Sequence, residues 1–176
     1  MRNDRARALL RIKSEAESGT KIISLFRLIR KVKALKQKNK RIVFTNGCFD
    51  ILHFGHIKYL QDAKAKGDYL VVAVNSDASI KKIKAKNRPV IAQGDRLKTI
   101  AALESVDFAV LFNEDNPLKL IKAIKPDVLI KGSDWSKAKI IGADFVQSYG
   151  GEVATVKLIK GRSTSKIIEK ILRDNS

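Results

Sequence analysis

The sequence has few cysteines and histidines, and this shortage excludes two classes of protein. Its single cysteine, Cys48, cannot form an internal disulfide, so the fold does not depend on an oxidising compartment. Together with only two histidines, it falls short of the roughly four nitrogen or sulfur ligands that a zinc site requires. We therefore predict a cytoplasmic protein with no metal site of its own.

Long apolar runs are also absent. The longest unbroken run, residues 69–74, is far shorter than the roughly 20 residues of a membrane helix. The basic N-terminus lacks the apolar core of about 7 to 15 residues, with a small-residue cleavage site, that marks an export signal. We expect neither export nor a membrane partner.

Acidic residues are scarce relative to basic ones. The 18 Asp and Glu stand against 36 Lys and Arg, which leaves a net charge of +18. Such a charge attracts polyanions and speeds their encounter with the protein. A nucleic-acid binder usually concentrates its charge and interleaves aromatic residues for stacking. Because the lysines here are scattered and aromatics make up only 6% of the chain, we expect no nucleic-acid partner.

The pattern of apolar segments predicts the fold class. A chain of 176 residues, 44% apolar, suits one domain with its own core. We predict this domain at 21–176, after a basic extension at 1–20 that is either helical or disordered. Strands and helices alternate, which predicts a Rossmann-like doubly wound α/β sheet of about five parallel strands. The predicted strands are 42–44, 69–74, 108–112, 128–130 and 153–158. The predicted helices are 22–36, 57–66, 95–103, 118–124, 139–149 and 167–172, with a basic loop at 79–93.

The first strand runs into an anion-binding junction, residues 45–56, which reads T-N-G-C-F-D-I-L-H-F-G-H. Gly47 permits a tight turn, and the helix that follows directs its free N–H groups and positive dipole end at a ligand. His53 and His56 share a face of that helix, and Gly55 leaves room between them. The junction predicts a polyphosphate site, the alternative being two ordinary histidines near a helix start.

A second anion site is predicted near the C-terminus. Gly161 and three hydroxyl residues, Ser163, Thr164 and Ser165, precede an amphipathic run. Backbone N–H groups and hydroxyl donors at a helix start bind anions well. Because ligands of open α/β sheets bind at the carboxyl ends of the strands, residues 75–77 after the second strand are placed to meet a sugar or a nucleotide.

The junction also carries a family signature. The pattern G-x-F-D-x-x-H-x-G-H resembles that of the HxGH nucleotidyltransferases, which are related to the cytidylyltransferases. It is formed here by Gly47, Phe49, Asp50, His53, Gly55 and His56. The string T-N-G-C-F-D-I-L-H most resembles the branch that joins AMP to D-glycero-β-D-manno-heptose 1-phosphate. The resemblance extends from residue 21 to the C-terminus.

The resemblance implies roles for individual residues. His53 and His56 would stabilise charge on the reacting phosphates, and Lys84 and Arg96 would neutralise it. The implied nucleotide-binding residues are Asn46, Gly47, Cys48, Phe49, Asp50, Gly55, Gly132, Asp134, Gly161, Ser163, Thr164 and Ser165. The implied acceptor-binding residues are Asn75, Asp77, Lys82 and Trp135, although Trp135 equally suits packing beneath its loop.

Two positions depart from the family pattern. Ala85 stands where relatives often have glycine, so either Lys84 or Lys82 fits the phosphate-binding lysine, and the whole segment equally suits a solvated loop. Arg162 stands where an apolar or aromatic residue is common, which leaves its role open.

The implied reaction transfers AMP from ATP, accompanied by Mg²⁺, to a sugar phosphate. The acceptor's phosphate oxygen attacks the α-phosphorus, and pyrophosphate leaves. With a second pKa of about 6 the acceptor is already anionic at pH 7, so it needs no general base. The alternatives are a cytidylyltransferase, for example one acting on glycerol 3-phosphate, and a non-enzymatic polyanion binder. The string N-S-D and Glu104, where cytidylyl relatives tend to carry arginine, favour the adenylyl branch. We also expect a homodimer.

Overall fold

The computed structural model describes residues 21–84 and 87–174, so the predicted extension at 1–20 lies outside the described residues. Five parallel strands form one sheet in the order β3-β2-β1-β4-β5. The strands are β1 Ile42–Gly47, β2 Tyr69–Asn75, β3 Phe108–Phe112, β4 Val128–Gly132 and β5 Glu152–Val156. The helices are α1 Leu25–Lys36, α2 Phe54–Lys64, α3 Asp77–Ile83, α4 Gln93–Ala102, α5 Leu118–Ile124, α6 Ala143–Ser148 and α7 Thr164–Asp174, with a 3-10 turn at Lys137–Lys139.

The sheet is buried on both faces because its strands are nearly continuous apolar runs. On one face Phe44 and Leu129 pack with side chains of α1, α5 and α6. On the other face Val43 and Val128 pack with side chains of α2 and α4. The strand order reverses beside β1, since β2 and β3 lie on one side of it and β4 and β5 on the other. The predicted doubly wound parallel sheet is confirmed, and ligands of such sheets bind where the order reverses.

Three local predictions were wrong. Residues 21–23 are extended beside β3, where Ile23 N donates to Ala109 O over 3.0 Å, so the first helix begins later than its apolar pattern indicated. The predicted loop at 79–93 overlaps α3, whose N-cap Ser76 accepts from Ser79 N over 3.1 Å. The predicted helix at 139–149 is broken at Gly142, which has a φ of 88°.

At the amino ends of the strands, which we call the amino edge, aspartates bind backbone N–H groups of β1 and β2. Asp127 Oδ2 accepts from Ile42 N over 2.8 Å, and Asp107 Oδ2 accepts from Leu70 N over 2.7 Å. Ile42 N is the first N–H of β1 and Leu70 N is the second of β2, and both residues are buried. In each case a carboxylate satisfies a donor that water cannot reach. Among residues 21–84 and 87–174, no helix combines the length and the apolar character needed to cross a membrane.

Candidate active site

The carboxyl ends of the strands open into a cleft of about 630 Å³, at the place where the strand order reverses. The cleft brings together side chains that are more than 100 residues apart in the sequence. Most residues that the sequence predicted as functional line it: Asn46, Gly47, Cys48, Phe49, Asp50, His53, Gly55, His56, Asn75, Lys84, Gly132, Asp134, Trp135, Ser163, Thr164 and Ser165.

The two histidines form a stacked pair at the start of α2. Their ring centroids are 4.0 Å apart with an interplanar angle of 22°, and the edge of Phe49 contacts His56. His53 is the N-cap residue and His56 lies in the first turn. A Cβ at Gly55 would lie 3.0 Å from the His53 ring and 3.2 Å from Arg162 Cβ, which explains the glycine between them.

Both histidines have a pKa below the ordinary value of an imidazole. Burial, with a smaller contribution from His53, lowers the pKa of His56 to about 4. Burial and the charge of Arg162 also lower the pKa of His53 below its ordinary value. The Nδ1 atoms of both rings are buried without a hydrogen-bond partner. Buried polar atoms are nearly always paired, so these atoms mark a place that a ligand would complete.

The N-terminus of a second helix meets the histidine pair. Thr164 Oγ1 donates to Asp50 O over 2.6 Å, which fixes the start of α7 against the junction loop. Ser163 Oγ accepts from Lys166 N over 3.3 Å, as an N-cap hydroxyl does. The helix starts of α2 and α7 thus face one volume, and their positive dipole ends favour an anion there.

Asp50 anchors the segment that follows α3. Its buried carboxylate accepts from Arg88 Nε over 2.8 Å and from the backbone N–H groups of Val90 and Ile91, each over 2.9 Å. Burial alone would raise the pKa of this carboxyl, but the three donors outweigh burial and hold the pKa below its ordinary value. The carboxylate that the sequence assigned to nucleotide binding therefore uses its oxygens to hold the wall of the cleft.

Arg96 lies beneath the cleft rather than in its wall. It is 1% exposed, and its guanidinium donates to Asn75 O over 2.8 Å, to Ile91 O over 2.9 Å and to Cys48 O. It also pairs with Asp77 over 2.8 Å. The structure thus places Arg96 and Asp77, both predicted to contact the substrates, in a network that joins the ends of β1 and β2.

Two more predicted residues lie outside the cleft lining. Lys82 pairs with Asp115 over 3.0 Å at the surface, whereas Lys84, at the end of α3, lines the cleft. Gly161 has a φ of 82° and serves the turn before α7. Of the two lysines that the sequence left open, Lys84 is the one that the structure brings to the other candidate residues.

Several residues of the cleft wall were not assigned to the site from the sequence, although Arg162 was singled out there with its role left open. The cations among them are Arg88, Lys131 and Arg162, and the others are Tyr59, Ile83, Asp115, Asn116, Pro117, Ile141, Leu158 and Ile159. Lys131 directly precedes Gly132 in K-G-S-D-W, a position that could have suggested it. Arg88 belongs to the basic loop predicted at 79–93, and its position in the wall follows from its contact with Asp50.

Comparison with known proteins identifies the family. Residues 44–170 match the family described as Cytidylyltransferase-like. The chain belongs to this family. The bifunctional protein HldE of Geobacter metallireducens is 50% identical over 158 residues, which cover 90% of this chain and 32% of that protein. The HldE protein of Campylobacter fetus is 55% identical over 151 residues, covering 86% of this chain and 31% of that protein. This chain therefore spans about a third of the length of these curated relatives.

A solved structure extends the comparison. The lipopolysaccharide core biosynthesis protein from Thermoplasma volcanium is 33% identical, with a TM-score of 0.58, and the match covers 70% of this chain and 99% of that one. The resemblance of residues 47–56 to the HxGH nucleotidyltransferases is therefore confirmed at the level of the cytidylyltransferase-like family. A nucleotide substrate fits the cleft, in which two helix N-termini face one volume.

Proposed function

We propose that this chain transfers AMP from ATP to D-glycero-β-D-manno-heptose 1-phosphate. The products are ADP-heptose, used for a lipopolysaccharide core or a related glycan, and pyrophosphate. The observation that carries the proposal is the meeting of two helix starts, one bearing His53 and His56 and the other Thr164, in one cleft. The names of the relatives, HldE and a lipopolysaccharide core biosynthesis protein, support this choice of substrate and pathway.

The cleft suits a reaction that depends on alignment and charge stabilisation. The acceptor phosphate is anionic at pH 7, so no residue needs to remove a proton from it. His53 and His56 would donate hydrogen bonds to oxygens of the α-phosphate, while Ser163 and Thr164 would hold the departing pyrophosphate. Lys84, which also lines the cleft, would neutralise the acceptor phosphate. Arg96 would act as a positioning residue, because it ties the junction loop to the end of β2.

Mg²⁺ would enter this site with the nucleotide. Magnesium usually keeps several waters and is held by substrate phosphates together with one or two carboxylates. In the part of the chain that the structure describes, no group of three or more His, Cys, Asp or Glu side chains is arranged for a metal ion. The triphosphate would therefore provide most of the ligands, with Asp134 as a carboxylate in the cleft wall. The homodimer remains a prediction, which light scattering would test.

The experiment is a comparison of nucleotides and acceptors. The protein is incubated with Mg²⁺, either ATP or CTP, and either heptose 1-phosphate or glycerol 3-phosphate, and pyrophosphate is measured. We expect the highest rate with ATP and heptose 1-phosphate. A preference for CTP with glycerol 3-phosphate would instead make the protein a cytidylyltransferase, and no pyrophosphate from any pair would leave a polyanion binder.

A further inference from the structure

The polar side chains of the cleft lie on two sides of the sheet edge. Side chains alternate along a strand, so Asn46 projects on the same face as Phe44, and Lys131 on the same face as Leu129. Phe44 and Leu129 belong to the core beneath α1, α5 and α6. The histidine pair starts α2, whose side chains pack on the other face of the sheet. Asn46 and Lys131 therefore belong to the half of the cleft opposite the histidines.

The two halves of the cleft would hold the leaving pyrophosphate and the acceptor separately. In phosphoryl-type transfer the attacking and leaving oxygens lie roughly in line through the phosphorus. If pyrophosphate leaves toward the starts of α2 and α7, the acceptor must enter from the half that contains Asn46 and Lys131. This step rests on the proposed function.

In that half of the cleft, the ammonium group of Lys131 has free hydrogen-bond donors. Its ammonium group donates to Asn46 O over 3.0 Å, a carbonyl rather than a carboxylate. A lysine ammonium has three N–H donors, so this bond leaves two for a ligand. Burial lowers the pKa of Lys131 to about 8, because the charged ammonium group loses contact with water. The hydrogen bond to Asn46 O does not fully replace that lost hydration. The Trp135 ring centroid lies 5.9 Å from Nζ.

Asn46 contributes an unpaired hydrogen-bond acceptor to the same half of the cleft. Its Oδ1 atom is buried without a hydrogen-bond partner, although its own carbonyl binds Lys131. A phosphate oxygen cannot donate to this atom at neutral pH, but a hydroxyl can, and the hydroxyl can also accept from the ammonium group. An unpaired acceptor beside a donor with spare N–H groups therefore suits a polyol better than an anion.

We propose that Asn46 and Lys131 form the subsite for ring hydroxyls of the acceptor sugar. Lys131 donates to one hydroxyl, and the same or a neighbouring hydroxyl donates to Asn46 Oδ1. Trp135, 43% exposed at the rim, offers an apolar surface to the ring. The subsite makes these three residues determinants of acceptor specificity, whereas the phosphate is held elsewhere in the cleft.

The test uses the only tryptophan of the chain as a reporter. Because Trp135 lies close to Lys131, binding of heptose 1-phosphate should change its fluorescence, and the titration gives a dissociation constant without turnover. We expect Lys131→Met to weaken binding of heptose 1-phosphate about 10- to 100-fold, the usual effect of losing a partner for a buried hydroxyl. The KM for ATP should change less than about twofold in the same variant. The matched control is Lys139→Met, an exposed lysine outside the cleft.

Acceptors without a sugar ring separate hydroxyl binding from phosphate binding. Methyl phosphate and ethyl phosphate, which carry no hydroxyl group outside the phosphate, should bind Lys131→Met and the wild-type protein equally well. An equal loss with these acceptors, or a rise in the KM for ATP instead, would overturn the subsite. If Lys131→Met does not fold, deoxy-sugar 1-phosphates on the wild-type protein replace it. At least one deoxy position should weaken binding tenfold or more, and uniform affinity across the series would refute the proposal.

Failure of the proposed function would look different. A wild-type protein that releases no pyrophosphate with heptose 1-phosphate and ATP would contradict the reaction. The fluorescence titration would still decide the subsite, because it measures binding of the sugar phosphate alone.

Discussion

The two edges of the sheet both carry charged side chains around a cavity. Polar groups are paired at the amino edge, whereas several at the carboxyl edge have no partner. At the amino edge a groove of about 440 Å³ is lined by charges that are paired with one another. Lys36 binds Asp127 over 2.9 Å, Arg41 binds Glu152, and Asp127 also accepts from a strand N–H. At the carboxyl edge, by contrast, Asn46 Oδ1, His53 Nδ1 and His56 Nδ1 are buried without a partner.

The comparison shows that unsatisfied polar groups, rather than charge, distinguish the edge that carries the candidate site. Leaving a buried polar group unpaired costs about 1–3 kcal/mol, so a fold keeps such groups only where something else is gained. Within the described residues, every buried side-chain nitrogen or oxygen atom that lacks a hydrogen-bond partner belongs to a residue in the wall of the cleft. A ligand that supplies the missing partners binds more tightly because the cost has already been met in folding.

The sharpest test of this contrast removes one histidine. His56→Ala should lower turnover about 10²-fold or more, since it deletes a preorganised donor to the reacting phosphates. Steady-state pyrophosphate release at saturating ATP and acceptor measures the effect. The fold should survive, because the ring lies at a helix start and the change removes rather than adds bulk.

The matched change at the amino edge is Lys36→Ala. This variant removes a charge that binds Asp127 and the backbone carbonyl of Lys125, so it should leave turnover unchanged. Comparable losses of turnover in both variants would show that the general positive field, rather than the histidine pair, carries the activity.

The part of the site that the sequence could predict is the part built from neighbouring residues. The junction at 45–56 and the hydroxyl-rich start of α7 each lie within a dozen residues, so strand, turn and helix signals locate them. The sheet was predictable for a similar reason, because each buried parallel strand is a continuous apolar run.

The roles that the sequence did not predict depend on contacts between distant residues. Arg96 has the charge of a phosphate ligand, but its hydrogen bonds to Cys48 O and Asn75 O, 48 and 21 residues away, turn it into a structural tie. Lys131 stands in the string K-G-S-D-W, but only the pairing of β4 beside β1 brings it to Asn46, 85 residues away. Local patterns contain no information on such contacts.

A second prediction concerns stability at acid pH and measures the contribution of His56 to it. The pKa of His56 is about 4 in the folded protein and about 6.5 when unfolded, so the unfolded state binds more protons between these values. The free energy of unfolding therefore rises with pH across this window and falls on acidification. Between pH 7 and pH 5 the loss due to His56 should be about 2 kcal/mol.

Urea unfolding of the wild-type protein and His56→Asn at pH 7 and pH 5 checks this prediction. The variant should lose less stability than the wild-type protein over the same interval. Parallel losses in the two proteins would mean that His56 is solvated and that its ring does not belong to the buried, unpaired set.

The smallest expected effect is on the paired amino edge, where a change should alter stability without altering activity. Asp127→Ala removes the acceptor of Ile42 N and the partner of Lys36, which leaves the first N–H of β1 unbound. Because the carboxylate is about one third exposed, water replaces part of what is lost, and the free energy of unfolding should fall by only about 1 kcal/mol.

Urea unfolding and pyrophosphate release should be measured together for Asp127→Ala, with Glu169→Ala as a control on an exposed position of α7. The control should stay within about 0.5 kcal/mol of the wild-type protein. If Asp127→Ala lowers turnover at a temperature where the variant is fully folded, the two edges are coupled through β1. The amino edge would then be more than a structural counterpart of the cleft, because satisfied hydrogen bonds at one end of the strand would be setting the geometry of Asn46 and Gly47 at the other.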